Sequence, residues 1–329
     1  MPVDPRLIEL GPQSPAESGL PARIRFHQSW YRRKVLDRVR FGVTPSFAGA
    51  RALGSILAPE DADAGLNFIT QSAKSLFTWR RRQGWGVDPI RCSSYMTSSQ
   101  ALTLNLFGPL CAHPMWAARV LSALLSIDVY RVAEFSLEYA PTRPSEYLGD
   151  STRIDGWLTL QTSNGPLALV VEIKYADRFN SRHILLHERI AYRALAERTQ
   201  LWNLDDNRTQ ARSVNQLLRC HALGAAVWSR RFPELSPPQI MVVTFPGDRL
   251  GERAVESYRQ ILLSPFLVTA VNLDQVLKVM SETTGSEEER RVVSAFQMRY
   301  LEHHLSEDLW REHLAVRRSK ARGARFVSR

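Results

Sequence analysis

The chain has 329 residues, 44% of them hydrophobic and 9% aromatic, enough apolar material to predict a folded globular protein with a sizeable core. No run approaches the roughly 20 uninterrupted apolar residues of a membrane span, and the N-terminus lacks the basic-then-apolar order of a secretory signal, so a cytoplasmic protein with no membrane partner is expected. A net charge of +10 predicts a surface that attracts polyanions, nucleic acid first among them, while three well-separated cysteines, Cys92, Cys111 and Cys220, exclude a disulfide framework and a paired-cysteine zinc site.

Residues 1–22 are rich in Pro, Gly and Ser, carry no period, and are expected to form a loosely ordered leader. Arg23 to Arg40 holds seven Lys or Arg and one acid, Asp37, which suits a basic helix or arm. Residues 41–112 carry turn signals such as Gln83-Gly84-Trp85-Gly86 and read as irregular, with short helices near Leu66–Trp79 and Ser98–Leu106. A helix after His113-Pro114 is followed by three strands, Val132–Tyr139, Arg153–Gln161 and Leu167–Tyr175, the first alternating Phe135, Leu137 and Tyr139 against Glu134, Ser136 and Glu138. Helical spacing returns over Ile184–Arg198 and Thr209–Trp228, then a short strand, Gln239–Phe245. The remainder reads as helical, including one long charged segment from Glu287 to Ala315, before a basic tail of Arg317, Arg318, Lys320, Arg322, Arg325 and Arg329. The order helix, strand, strand, strand, helix, strand implies a mixed sheet flanked by helices.

Asn164-Gly165 is a strong hairpin signal. Taken as a two-residue loop, it makes Asp155 face Lys174 and Trp157 face Glu172. Asp155, Glu172 and Lys174 then share one face, with the two carboxylates as diagonal neighbours about 7 to 8 Å apart. The opposite face carries Leu167, Leu169, Val171, Ile173 and Tyr175, an apolar row expected to pack on a helix. Ala168 and Val170 precede Glu172 on its own face, so the charges arrive at the end of a buried run, where a metal or partner charge is needed. Hard carboxylate oxygens select Mg²⁺ or Mn²⁺, which bridges to a phosphate oxygen and lowers the pKa of a bound water. Lys174 is placed to position that water or to stabilise transition-state charge, so phosphodiester hydrolysis is the predicted reaction. The bland alternative is an exposed strand end where Lys174 pairs with Asp155 and no metal binds.

The run Arg153-Ile154-Asp155-Gly156-Trp157, a turn, and Val170-Val171-Glu172-Ile173-Lys174-Tyr175 resembles the PD-(D/E)XK nuclease superfamily, with Ile154 where the motif's name has Pro. Thr97-Ser98-Ser99-Gln100-Ala101-Leu102, Asn105-Leu106-Phe107-Gly108-Pro109-Leu110 and Gln216-Leu217-Leu218-Arg219 are similar to segments of a bacterial family within it, over residues 95–246. The resemblance implies an α/β protein with a restriction-endonuclease-like core at 113–248 and a mixed central sheet in the order read above. Helical extensions flank it at 23–112 and 249–316, ahead of the tail at 317–329. It implies a divalent-metal-dependent endonuclease acting on DNA. Asp155 and Glu172 would be metal ligands, with Glu138 and the Ile173 backbone carbonyl as further ligand candidates. Lys174 would be catalytic, and Gln216 a polar contributor from the helix after the third strand.

Arg32, Arg33, Lys34, Arg80, Arg81, Arg82 and Arg219 are candidate nucleic-acid contacts through counterion release, although Arg219 and Gln216 read equally well as a solvated helix side. His183 and His187 lack a third placed ligand and read as solvated or phosphate-facing, and His303, His304 and His313 need no function. A non-catalytic nucleic-acid-binding or assembly protein of this fold stays open, as does a nuclease acting on RNA. Endo or exo cleavage and the number of copies, a homodimer among the options, stay open too.

Overall fold

Caps and prolines set where the principal helices begin. The Thr70 and Ser98 hydroxyls accept the Ala73 and Ala101 N–H groups, Pro114 opens its helix, and reciprocal capping pairs Asn272/Gln275 and Ser286/Glu289 open two more. The computed structural model describes residues 4–44, 49–84, 86–176, 183–203 and 205–327, side chains to residue 319. Trp85 of the expected turn, Arg329, and the side chains of Lys320, Arg322 and Arg325 lie outside the described residues.

In chain order come α1 (Pro5–Glu9), α2 (Gly19–Lys34), a small ribbon of β1 (Val43–Thr44) and β2 (Arg51–Ala52), α3 (Pro59–Asp63), α4 (Gln71–Arg82), α5 (Pro89–Ser94), α6 (Ser99–Ala112) and α7 (Pro114–Leu125). Next are β3 (Val129–Tyr139), β4 (Ile154–Thr162), β5 (Gly165–Ile173), α8 (Ile190–Thr199), α9 (Arg212–Arg231) and β6 (Gln239–Thr244). The chain continues through α10 (Arg249–Arg259), β7 (Val268–Asn272), α11 (Leu273–Glu282), α12 (Glu287–Tyr300) and α13 (Glu307–Val327).

The central sheet runs β3-β4-β5-β6-β7; the first two pairings are antiparallel and the last two parallel. This is a mixed α/β sheet of restriction-endonuclease-like arrangement, as expected. One face of β5, through Leu169, Val171, Ile173 and Tyr175, packs into a core shared with α6, α7, α11 and α12. The other face, through Ala168 and Val170, packs against α8, α9 and α10. Alternation along a strand buried on both sides produces this division. Gly224 of α9 lets that helix lie close to the sheet, since a Cβ there would stand 2.3 Å from Val170 Cγ2.

Several expectations need correction. The leader is built into the structure: α1 forms there, and Leu10 is buried against Phe26 and Leu309. The N-terminal segment is not peripheral, because Ile24, Phe77 and the apolar residues of α6 share the core of the sheet, as does Tyr300. A fifth strand, β7, was not anticipated, and the charged C-terminal segment is two helices broken at 301–306. The tail continues α13 to Val327.

The hairpin register also differs from the expected one. Thr162 pairs with Gly165, so the chain turns at Ser163–Asn164, and Gly165 takes the left-handed φ of 102° as the first residue of β5. Asn-Gly is therefore not the centre of a two-residue loop. The ladder slides by two positions, which preserves the face of every side chain.

Candidate active site

The register slide brings the acids closer than expected. Gly156 pairs with Val171, so the next position sets Asp155 directly opposite Glu172 rather than diagonal to it. On the other flank, β4 pairs Gly156 with Leu137 and Ile154 with Tyr139, which sets Glu138 opposite Asp155. A row of three carboxylates thus crosses β3, β4 and β5 where the sheet meets the N-terminal part of α9.

Each group is held by named donors. The Ile173 N–H donates to Asp155 Oδ2 at 2.7 Å. Lys174 Nζ stands 2.8 Å from Glu172 Oε1, which also accepts from Gln216 Nε2 at 2.5 Å. The Cys220 thiol donates to Glu172 Oε2 at 3.3 Å. Gln216 and Cys220 are four apart on α9, so one helix face meets the glutamate twice. Glu172 is 1% exposed and Lys174 7%, whereas Asp155 keeps some contact with solvent at the mouth of the cluster.

Glu138 adopts φ 50°, the left-handed region uncommon for a residue with a Cβ. Beyond it the strand loses alternation: Leu137 lies in one core and Tyr139, two residues on, packs against the other. The carbonyl of Glu138 accepts from Arg80 Nε at 2.9 Å, and its Oε2 accepts from Gln100 Nε2 at 2.5 Å. Its Oε1 is buried without a partner.

Burial pushes the Asp155 carboxyl well above the usual range, aided by the charges of Glu172 and Glu138 and opposed by Lys174 and the Ile173 N–H. Burial, with the Glu172 charge, also lifts Glu138 to about 7, although the Gln100 hydrogen bond pulls the other way. Burial and the same glutamate hold Cys220 as a thiol, hence as a donor. Hard oxygen donors carrying surplus negative charge out of water suit a divalent cation. Among the described residues, no three His, Cys, Asp or Glu side chains converge as a ready metal cage.

The other expected contacts divide by burial. Arg32 is 0% exposed and donates to the carbonyls of Leu10, Val39, Arg40 and Gly54. Arg80 is buried on the Glu138 carbonyl. Arg219 is buried against Asp150, with Nε and Nη2 both 2.6 Å from its oxygens. These three are internal clamps, a correction to the surface role expected of them. Arg33 pairs with Glu9 and Asp37, and Lys34 lies 3.3 Å from Glu9. Arg81 and Arg82 are exposed at the end of α4. His183 bonds the Gln210 carbonyl, at the short helical turn before α9, and does not approach the carboxylates as a ligand.

Sequence reasoning missed Cys220, read only as one of three well-separated cysteines, and Gln100, noted only within a family-like segment. Neither residue type advertises a role, and only the fold brings either to a carboxylate.

Among the described residues no helix is long and apolar enough to cross a membrane. Searches of curated proteins and of solved structures found no match. A family model described as the PD-(D/E)XK nuclease superfamily matches residues 15–302, from just before α2 to just past α12, and the chain belongs to that superfamily.

Proposed function

We propose that the chain is a divalent-metal-dependent endonuclease that hydrolyses phosphodiester bonds in DNA. The observation that carries this reading is Asp155 set opposite the buried Glu172 on facing strands, with Lys174 Nζ 2.8 Å from Glu172. Asp155, Glu172 and the Ile173 backbone carbonyl would hold Mg²⁺ or Mn²⁺. When bound, that ion neutralises phosphate charge and lowers the pKa of a coordinated water.

The chain's own groups do the remainder. Gln216 and Cys220 hold Glu172 in one orientation, and the Ile173 N–H does the same for Asp155. The Lys174 ammonium positions the attacking water or stabilises the charge that builds on the phosphate oxygens. Exposed Arg81 and Arg82, with Lys34, draw the polyanion in by counterion release, and the +10 net charge favours the same partner.

The test is incubation of purified protein with supercoiled plasmid, linear DNA and single-stranded RNA, in Mg²⁺, Mn²⁺ or EDTA. Metal-dependent nicking or linearisation of plasmid, absent in Asp155→Ala, is expected. Cleavage of RNA alone would replace the substrate, and tight DNA binding without cleavage under any metal would replace the activity.

A further inference from the structure

Glu138 is the acid for which the reaction described above has no use, yet two residues of the N-terminal segment, Arg80 and Gln100, hold it in place. Its main chain is held in the left-handed region, which is strained for a residue with a Cβ. Arg80 of α4, itself buried, grips its carbonyl, and Gln100 in the first turn of α6 grips Oε2. Gln100 is fixed in turn: its Nε2 also donates to the Gly86 carbonyl at 3.1 Å, and its Oε1 accepts the Asp88 N–H at 2.9 Å. The side chain therefore cannot swing away without abandoning three partners.

The consequence is an acceptor left over. Glu138 is 1% exposed, and Oε1 has no partner while Oε2 is occupied. A buried carboxylate oxygen normally finds a donor, and leaving one unmatched is unfavourable. The row across β3, β4 and β5 puts that carboxylate beside Asp155, and its charge acts on Asp155. The free oxygen is thus kept for something that enters the cluster and brings hydrogen-bond donors with it. Mg²⁺ and Mn²⁺ held by two carboxylates keep several of their waters, and such waters are strong donors.

We infer that Gln100 is a positioning residue which, together with Arg80, aims Glu138 Oε1 at the Asp155–Glu172 pair as an acceptor for water on the bound cation. This rests on the metal-site reading above and extends the site into α4 and α6, outside the strands that carry the trio. Glu138 itself acts without entering the ligand set, which agrees with the lack of a ready three-carboxylate cage. Outer-shell partners of this kind are worth about 10- to 100-fold in metal affinity.

The test is a Mn²⁺ titration of the full chain by calorimetry, with Gln100→Ala, Glu138→Gln and Asp155→Asn beside the wild type, and unfolding midpoints measured in EDTA. Gln100→Ala and Glu138→Gln should each weaken Mn²⁺ binding about tenfold or more. The Glu138→Gln midpoint in EDTA should not fall, because a neutral amide replaces a buried carboxylate; a merely structural contact would move the midpoint and leave the affinity alone. Wild-type affinity in Glu138→Gln, with loss in Asp155→Asn, would overturn the inference and leave the nuclease reading standing. No Mn²⁺ binding by the wild type would overturn both.

Discussion

The two faces of β5 are equally buried and chemically opposite. On one, Leu169, Val171, Ile173 and Tyr175 meet the helices of the N- and C-terminal segments. On the other, Ala168 and Val170 meet α9, and then Glu172 and Lys174 follow, both still buried. Burial on the first face lowers free energy by removing apolar area from water, whereas burial on the second costs free energy unless every charge is matched. Three donors converge on Glu172 and one backbone N–H on Asp155, so the charged end of the second face is held by directional contacts.

Substitutions on the two faces should therefore fail in different ways. Lys174→Met keeps the aliphatic stem and removes the ammonium; cleavage should drop about 10²- to 10³-fold in single-turnover assays, with far-UV circular dichroism unchanged. Ile173→Ala, one residue away on the apolar face, should instead cost about 2–5 kcal/mol in denaturant unfolding while the folded fraction keeps its metal affinity. If the two variants lose the same property, the division between the faces is wrong.

Gly224→Ala probes the link between them, because the added methyl pushes α9 off Val170 and carries Gln216 and Cys220 with it. A destabilisation of about 1–3 kcal/mol is expected, together with reduced cleavage by the protein that remains folded. A stable, fully active variant would show that α9 need not be held so close.

The smallest effect concerns pH. Burial, the largest cause in each case, holds His27 and His221 down to about 4, and both are neutral in the fold. His221 donates to the Pro238 carbonyl on the α9 side, and His27 pairs with the Met298 carbonyl on the α12 side. The unfolded chain takes up these protons near pH 6.5 and the folded chain only near 4. Stability is thus present above the unfolded pKa and is lost as pH falls through that window. The thermal midpoint should decline from pH 6.5 toward 4, and His221→Gln should flatten part of the decline.

Much of this was legible from spacing. The strands and the shared face of Asp155, Glu172 and Lys174 follow from alternation, and the two helices between β5 and β6 from helical spacing. The face assignment survived the register slide because the slide was an even number of residues. The slide itself was not readable, since the glycine of Asn-Gly can sit inside a two-residue loop or, as here, just after one formed by Ser163–Asn164. β7 is five residues long after Pro265-Phe266-Leu267 and offers too short a run to show a period. Charge was visible along the chain but exposure was not, so Arg32, Arg80 and Arg219 looked like surface cations although each clamps oxygens inside the protein. Gln100 and Cys220 acquire meaning only when α6 and α9 bring them to Glu138 and Glu172.

The most direct measurement is the plasmid-cleavage rate of Asp155→Asn in Mg²⁺, taken beside its unfolding midpoint in EDTA. The charged face predicts a loss on the order of 10⁴-fold in rate, with a midpoint equal to or above that of the wild type, because a carboxylate destabilised by Glu172 and Glu138 has been neutralised. Cleavage that persists in Asp155→Asn, or that is lost only in step with folding, would contradict the account.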